Sequence, residues 1–194
     1  MNERIKYLRE QLKGMKLEGM IVSNPVNIKY LTNIDCEEGL LLITRKENLY
    51  LTQTMFMEEV NSILTINDEI IVVDFRDVTK EDYENFFLFC ENIGFEEHHV
   101  TYERYKEWKE KYKIPNLVET EGIIEGQRVI KDEEEIENIK KACEITDNCF
   151  TYLLKYIKQG MTEKQVALEI EMFFRRNETE RSSISSNSSI WRKY

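Results

Sequence analysis

Met20-Ile21-Val22-Ser23-Asn24-Pro25-Val26-Asn27-Ile28-Lys29-Tyr30-Leu31-Thr32 is the stretch on which the fold turns. Met20 to Val22 reads as a short buried strand. Ser23-Asn24-Pro25 closes it, because proline cannot donate to a strand ladder and turns the chain. Residues 26–32 then predict a short helix. A strand handed straight to a helix is the repeating unit of α/β architecture.

Upstream, Ile5, Leu8, Leu12 and Met15 recur at steps of three and four, one apolar stripe on a helix over residues 2–16. Downstream, Leu40–Thr44 and Leu49–Thr52 read as a hairpin turned by Lys46-Glu47-Asn48. Residues 55–64 predict a helix. Ile70–Phe75 predicts a strand covered on both faces, since its apolar run is continuous. Lys80 to Ile93 predicts an amphipathic helix stopped by Gly94, followed by a strand at Val100–Tyr102, a helix at Tyr105–Tyr112 and a last strand at Leu117-Val118. Strands alternating with helices, with one hairpin, predict a three-layer α/β domain with a mixed sheet.

The character changes between residues 122 and 131. Ile136, Ile139, Cys143, Thr146, Phe150, Leu153 and Ile157 alternate at three and four. Asp132 is placed to cap that helix, and Glu133, Glu134 and Glu135 complement its dipole. Gly160 ends it, and Thr162 caps a second helix bearing Val166, Ile170 and Phe173 on one face. The expected divisions are residues 1–126, 127–181 and 182–194. In the last, six of thirteen residues are serine, too little apolar material to order itself.

The chain has 194 residues, 41% hydrophobic and 33% charged, with a formal net charge of -10. That size and apolar content support a real core. The acidic balance repels phosphate backbones, so no nucleic-acid partner is expected. No apolar run is long enough to span a bilayer, and Met1-Asn2-Glu3-Arg4 lacks signal-peptide order. Cys36, Cys90, Cys143 and Cys149 have no framework spacing, which predicts reduced thiols and a cytoplasmic location.

Candidates for chemistry are few. His98 and His99 are the only histidines; as strand neighbours they point apart and do not share one metal. Cys143 and Cys149, six apart on a helix, face different directions. Asp35, Glu37 and Glu38, and separately Asp74 and Asp77, are carboxylate clusters of the kind that bind calcium or magnesium, but neither has the glycine and ligand ladder of a calcium loop. Phosphate-binding loops, a nucleophile elbow and H-E-x-x-H are absent. No catalytic, cofactor-binding or metal-ligating residue is therefore expected, and no cofactor.

Asn24-Pro25, Asn27, Tyr30-Leu31-Thr32 together resemble the N-P-x-N-x-x-Y-L-T segment of the creatinase N-terminal domain, although Asn33 and Ile34 stand where that family has glycine and an aromatic. Leu49-Tyr50-Leu51-Thr52 resembles its next strand. Arg128-Val-Ile-Lys131-Asp132-Glu-Glu-Glu135-Ile136, with Gly160-Met161-Thr162-Glu163, resembles the entry to the "pita-bread" catalytic domain of Xaa-Pro aminopeptidases, prolidases and creatinases. The four motifs, in order, cover about residues 2–180. The resemblance implies a ribonuclease-H-like N-terminal domain that associates with a neighbouring subunit and walls the active-site mouth. A homodimer through that domain is thus expected. It also implies a hydrolase holding two divalent metals, such as manganese, cobalt or zinc, through two aspartates, a histidine and two glutamates, with a further histidine at the transition state. None of those positions exists here, so a truncated, inactive relative is expected, with peptide as substrate only in a full-length protein.

The family continues from this second helix into a strand reading roughly Ser-Phe-x-x-Ile-Val-Ala-Ser-Gly-x-Asn. Residues Ile184 to Tyr194 can be encoded so that a one-base shift reads Phe-Gln-Ala-Ile-Val-Ala-Ser-Gly-Glu-Asn. The glycine is forced by the single codon of Trp191. A frameshift at residues 177–184 is therefore expected, with a mobile tail behind it. Two other readings stay open: a binding or dimerisation module, and an unrelated α/β ligand-binding domain. A pocket in the first domain favours the latter; an apolar face on the two C-terminal helices favours the truncated peptidase.

Overall fold

The structure is a computed structural model, and it describes residues 3–36, 38–64, 69–111 and 116–177. Glu37 and the serine-rich tail expected to be shifted in frame lie outside the described residues. The chain divides into two compact units after Ile130.

The first unit runs α1 (Glu3–Gly14), β1 (Gly19–Val22), α2 (Pro25–Thr32), β2 (Leu40–Thr44), β3 (Asn48–Thr52), α3 (Thr54–Ile63), β4 (Ile70–Asp74), α4 (Lys80–Phe86), β5 (Asn92–Glu96), α5 (Tyr102–Lys106), a π-helical turn at Glu107–Lys111, β6 (Asn116–Thr120) and α6 (Ile123–Val129). The strands form one sheet in the order β4-β3-β2-β1-β5-β6. β2 is antiparallel to β1 and β3; the other pairings are parallel. The sheet is mixed because the hairpin reverses one strand, while helical crossovers keep the rest parallel.

Alternation along the central strands divides the core. Met20, Val22, Leu41 and Ile43 pack on one face with Ile5, Leu8 and Leu12 of α1, Ile28 and Leu31 of α2, Val60 of α3 and Ile124 of α6. Ile21, Leu40 and Leu42 point the other way, onto Tyr83, Phe87, Phe95 and Trp108. Side chains of opposite parity leave opposite faces of a strand, so a sheet with both parities apolar needs a helical layer on each side. That is the three-layer α/β arrangement.

Four local expectations are corrected. The helix over residues 80–93 stops at Phe86, and Asn92–Glu96 is strand β5. Gly94 lies inside that strand, where a Cβ would stand 2.9 Å from Cγ2 of Thr120 and 3.2 Å from Cδ1 of Leu17. The glycine serves close packing there, not helix termination. Val100–Tyr102 is not a strand; Thr101 caps α5, its hydroxyl accepting from the Arg104 amide. Ile70–Asp74 is an edge strand whose expected cover is only partial: Ile70 and Val72 pack on one core cluster and Val73 on the other, but Ile71 is 58% exposed.

Capping explains several ends. The Asn24 side chain accepts from the Val26 amide and Pro25 fills the first position of α2. Asn33 ends α2 at φ 63°, the left-handed region that favours glycine and tolerates asparagine. The position where the resembling family has glycine is thus met by the other residue that fits. The second unit consists, among its described residues, of α7 (Glu133–Tyr156) and α8 (Glu163–Arg176). Each opens with a capping box, Asp132 with Glu135 and Thr162 with Gln165. Gly160, at φ 93°, makes the turn between them. Tyr152 of α7 donates to the Glu169 carboxylate of α8 at 2.8 Å, which raises the tyrosine's pKa. Cys149 is the buried thiol of α7, and Cys143, expected on the buried stripe, is exposed. No described helix is long and apolar enough to cross a membrane.

Candidate functional site

The carboxyl ends of β1, β3, β4, β5 and β6 lie along one edge of the sheet, with the start of β2 among them. In open α/β sheets this is the edge where ligands bind, because the loops there diverge from strand to helix. It is also where the first unit buries polar groups: Thr52, Asp74, Glu96 and Thr120 all end strands and are buried.

Glu96 is the centre of one network. Its Oε2 accepts from the backbone amides of Ser23 at 2.6 Å and Asn24 at 2.7 Å, the two residues of the turn after β1. Its Oε1 accepts from Nδ2 of Asn27 at 2.7 Å. The same Nδ2 donates to Glu125 of α6 at 2.6 Å, and Oδ1 of Asn27 accepts from Arg128 at 2.9 Å. Two carboxylates on one side and a guanidinium on the other define which way this buried amide points. Asn27 thus ties α2 to β5 and to α6. Nothing in the local sequence shows this; the signal available was only that Asn27 is a polar residue on the apolar side of a short helix.

A second network surrounds Asp74. Arg76 donates to it from its side chain and backbone, and the Thr54 hydroxyl joins both residues. These donors hold the Asp74 carboxyl well below the usual carboxylate range. Asp77 continues the same turn, its amide donating to the Asp74 carbonyl at 3.0 Å. This carboxylate pair is a capped strand end and not a convergent ligand set. The other sequence cluster is also dispersed: Asp35 pairs with Lys29 at 2.7 Å and Glu38 turns to Gln53.

Between these networks lies a cleft of about 860 Å³, lined by Ser23, Glu38, Gln53, Phe75, His99 and Glu103, among others. His99 reaches Ser23 Oγ through Nδ1 at 3.1 Å. His98 turns elsewhere, toward Glu97 and Glu121. The cleft combines carboxylates, a hydroxyl and an imidazole with an aromatic wall, which suits a small polar ligand.

The network runs from the Asn24-Pro25 turn through β5 to α6, the last helix of the first unit. That unit matches the Creatinase/Prolidase N-terminal domain over residues 4–130. The chain belongs to the creatinase/prolidase family. Residues 137–191 match Metallopeptidase family M24, a match that runs past residue 182, where the frame is expected to shift. An uncharacterized peptidase of Bacillus subtilis is 26% identical over 182 residues, covering 93% of this chain and 51% of that protein. An Xaa-Pro dipeptidase of Pyrococcus furiosus is 26% identical over 187 residues, covering 96% and 52%. Among solved structures, an Xaa-Pro dipeptidase from Bacillus anthracis superposes with a TM-score of 0.83 at 26% identity, covering 94% of this chain and 51% of that one. The chain spans about half the length of the curated relatives it matches.

The described residues do not fit the two-metal site implied by membership of the creatinase/prolidase family. Such a site needs several oxygen and nitrogen ligands converging on one water. Both histidines of the chain precede residue 100. In the second unit, no three metal-ligating side chains among the described residues bring their donor atoms together. Its helices instead leave apolar side chains in solvent, Phe150 and Leu154 being 64% and 68% exposed.

Proposed function

We propose that this chain is the N-terminal half of an Xaa-Pro peptidase and does not hydrolyse Xaa-Pro bonds by itself. The observation that carries the reading is the pair of family matches, the Creatinase/Prolidase N-terminal domain over residues 4–130 and Metallopeptidase family M24 over residues 137–191, on a chain that spans about half the length of its curated relatives. The absence of a fitting ligand set supports it, since two-metal hydrolysis depends on both ions to activate water and stabilise charge. In this reading the protein is cytoplasmic and its first unit provides the homodimer contact. Peptide is bound productively only where the remaining half of the fold is present.

The second reading is a non-catalytic binding module. On sequence grounds a pocket favours an unrelated α/β ligand-binding domain; membership of the creatinase/prolidase family removes that reading and leaves the cleft at the carboxyl edge to the binding module. The two are separated by incubating the purified chain with manganese or cobalt and a panel of Xaa-Pro dipeptides. The proposal expects no release of proline above the metal-only rate. Metal-dependent turnover that survives further purification would overturn it. Dipeptide binding without turnover, seen as shifts confined to the Ser23–His99 region, supports the binding module.

A further inference from the structure

Glu97, His98 and Glu121 come together just past the carboxyl ends of β5 and β6, Glu97 being the residue after Glu96 of the Asn27 network. The cause is register. Parallel pairing sets Glu96 beside Thr120, so the residues that follow, Glu97 and Glu121, emerge side by side. Each of the three side chains offers one donor atom, and all of these atoms lie within 4.8 Å of one another. His98 Nε2 stands 3.6 Å from Glu97 and 3.8 Å from Glu121.

Those distances discriminate between two chemistries. They are too long for hydrogen bonds, which for a charged pair of this kind close to about 2.7–2.9 Å. They are close to the spacing of ligands on a tetrahedral ion: donors at roughly 2.1 Å from zinc lie about 3.4 Å apart. A movement of a few tenths of an ångström brings His98 Nε2 to that spacing from both carboxylates, and His98 and Glu121 are exposed enough to make it. The imidazole decides the class of ion. A nitrogen donor with two carboxylates suits zinc and its neighbours, whereas calcium and magnesium take oxygen. Charge points the same way. Two carboxylates are held together in a chain whose net charge is already -10, and a divalent cation relieves that repulsion.

We propose that Glu97, His98 and Glu121 form a single surface site for zinc or a similar borderline divalent metal, with solvent completing the coordination. The site joins the turn after β5 to the junction of β6 and α6. β6 is an edge strand, held on one side only. A metal bridging Glu97 and Glu121 fastens its carboxyl end. The proposal does not rest on the peptidase reading, because neither the residues nor the test involve peptide.

The test is titration of the full, untagged chain with zinc chloride, followed by NMR of the histidine rings. With only two histidines in the chain, His98 and His99 report separately. The expected result is saturable movement of the His98 ring at one equivalent while the His99 ring stays in place. Binding at free thiols leaves both rings unmoved and so counts against the proposal. His98→Ala and Glu121→Gln should each weaken zinc binding at this site at least about tenfold, the lower end of what losing even a supporting partner costs a metal site. Bound zinc should also slow amide exchange at the end of β6. Magnesium chloride should move neither ring. The proposal is overturned if the His98 ring is unmoved in millimolar zinc. It is equally overturned if its movement is undiminished in Glu121→Gln, which would reduce the site to a lone imidazole.

Discussion

Arg128 donates to Oδ1 of Asn27 at 2.9 Å across 101 residues of sequence. Asn27 lies in the turn-and-helix segment by which the first unit resembles its family, and Arg128 in the segment that leads into the second. Two of the four motifs that carry the resemblance are therefore in direct contact. The contact fixes α6 against α2, and Glu96 and Glu125 complete it from the other side of the amide.

Asn27→Asp should be among the most damaging isosteric changes in the first unit. It removes two donors and places a third carboxylate against Glu96 and Glu125. Loss of partners for a buried polar group costs about 1–3 kcal/mol, and an uncompensated buried charge about 3–5 kcal/mol. A destabilisation of about 3 kcal/mol at neutral pH is expected from urea unfolding. A midpoint within experimental error of the parent chain would show that the network does not hold the unit together.

Asp74 should contribute to acid sensitivity. Its folded pKa is depressed by the Arg76 and Thr54 donors, so the unfolded chain binds the proton more readily. The stabilisation is therefore fully present above the unfolded value of about 3.9 and is lost as pH falls below it toward the folded value. Asp74→Asn should be less stable than the parent at pH 7, and the gap should narrow on going to pH 3. A gap that is constant or widens with acid has the wrong sign for this carboxylate. Thr79 holds Asp82 low in the same direction, which makes the comparison between variants, not the absolute acid midpoint, the informative quantity.

Self-association should involve the second unit as well as the first. Ile139, Phe150, Leu154, Ile157 and Leu168 are exposed along α7 and α8. Clustered apolar surface of this kind is normally covered. Sedimentation should show a species larger than a dimer whose proportion grows with concentration. The double variant Phe150→Ser, Leu154→Ser should return it toward the dimer expected from the first unit. A parent chain that sediments as a monomer at all concentrations would count against both contacts.

What the sequence alone determined were features written within a few residues of one another. The Asn24-Pro25 turn, the capping residues Asp132 and Thr162 and the family motifs depend on local backbone chemistry and are where the sequence places them, while α7 ends at Tyr156 and Gly160 makes the turn beyond it. Alternation of strands with helices was enough to call for a three-layer α/β domain, and Met20–Val22 and Leu40–Ile43 do bury side chains on both faces of the sheet. Tertiary structure decided the rest, because strand order and register are properties of pairs. Gly94 reads as a helix stop by itself and becomes a strand residue only because Thr120 and Leu17 press against it. Ile70–Val73 reads as covered on both faces, and its cover is only partial where β4 lies at the sheet edge and has no second neighbour. His98 reads as a solitary exposed imidazole until parallel pairing of β5 with β6 delivers Glu97 and Glu121 to its side. Asn27 meets Glu96 and Arg128 for the same reason: helix packing and strand order, not spacing along the chain, set which polar groups share one buried volume.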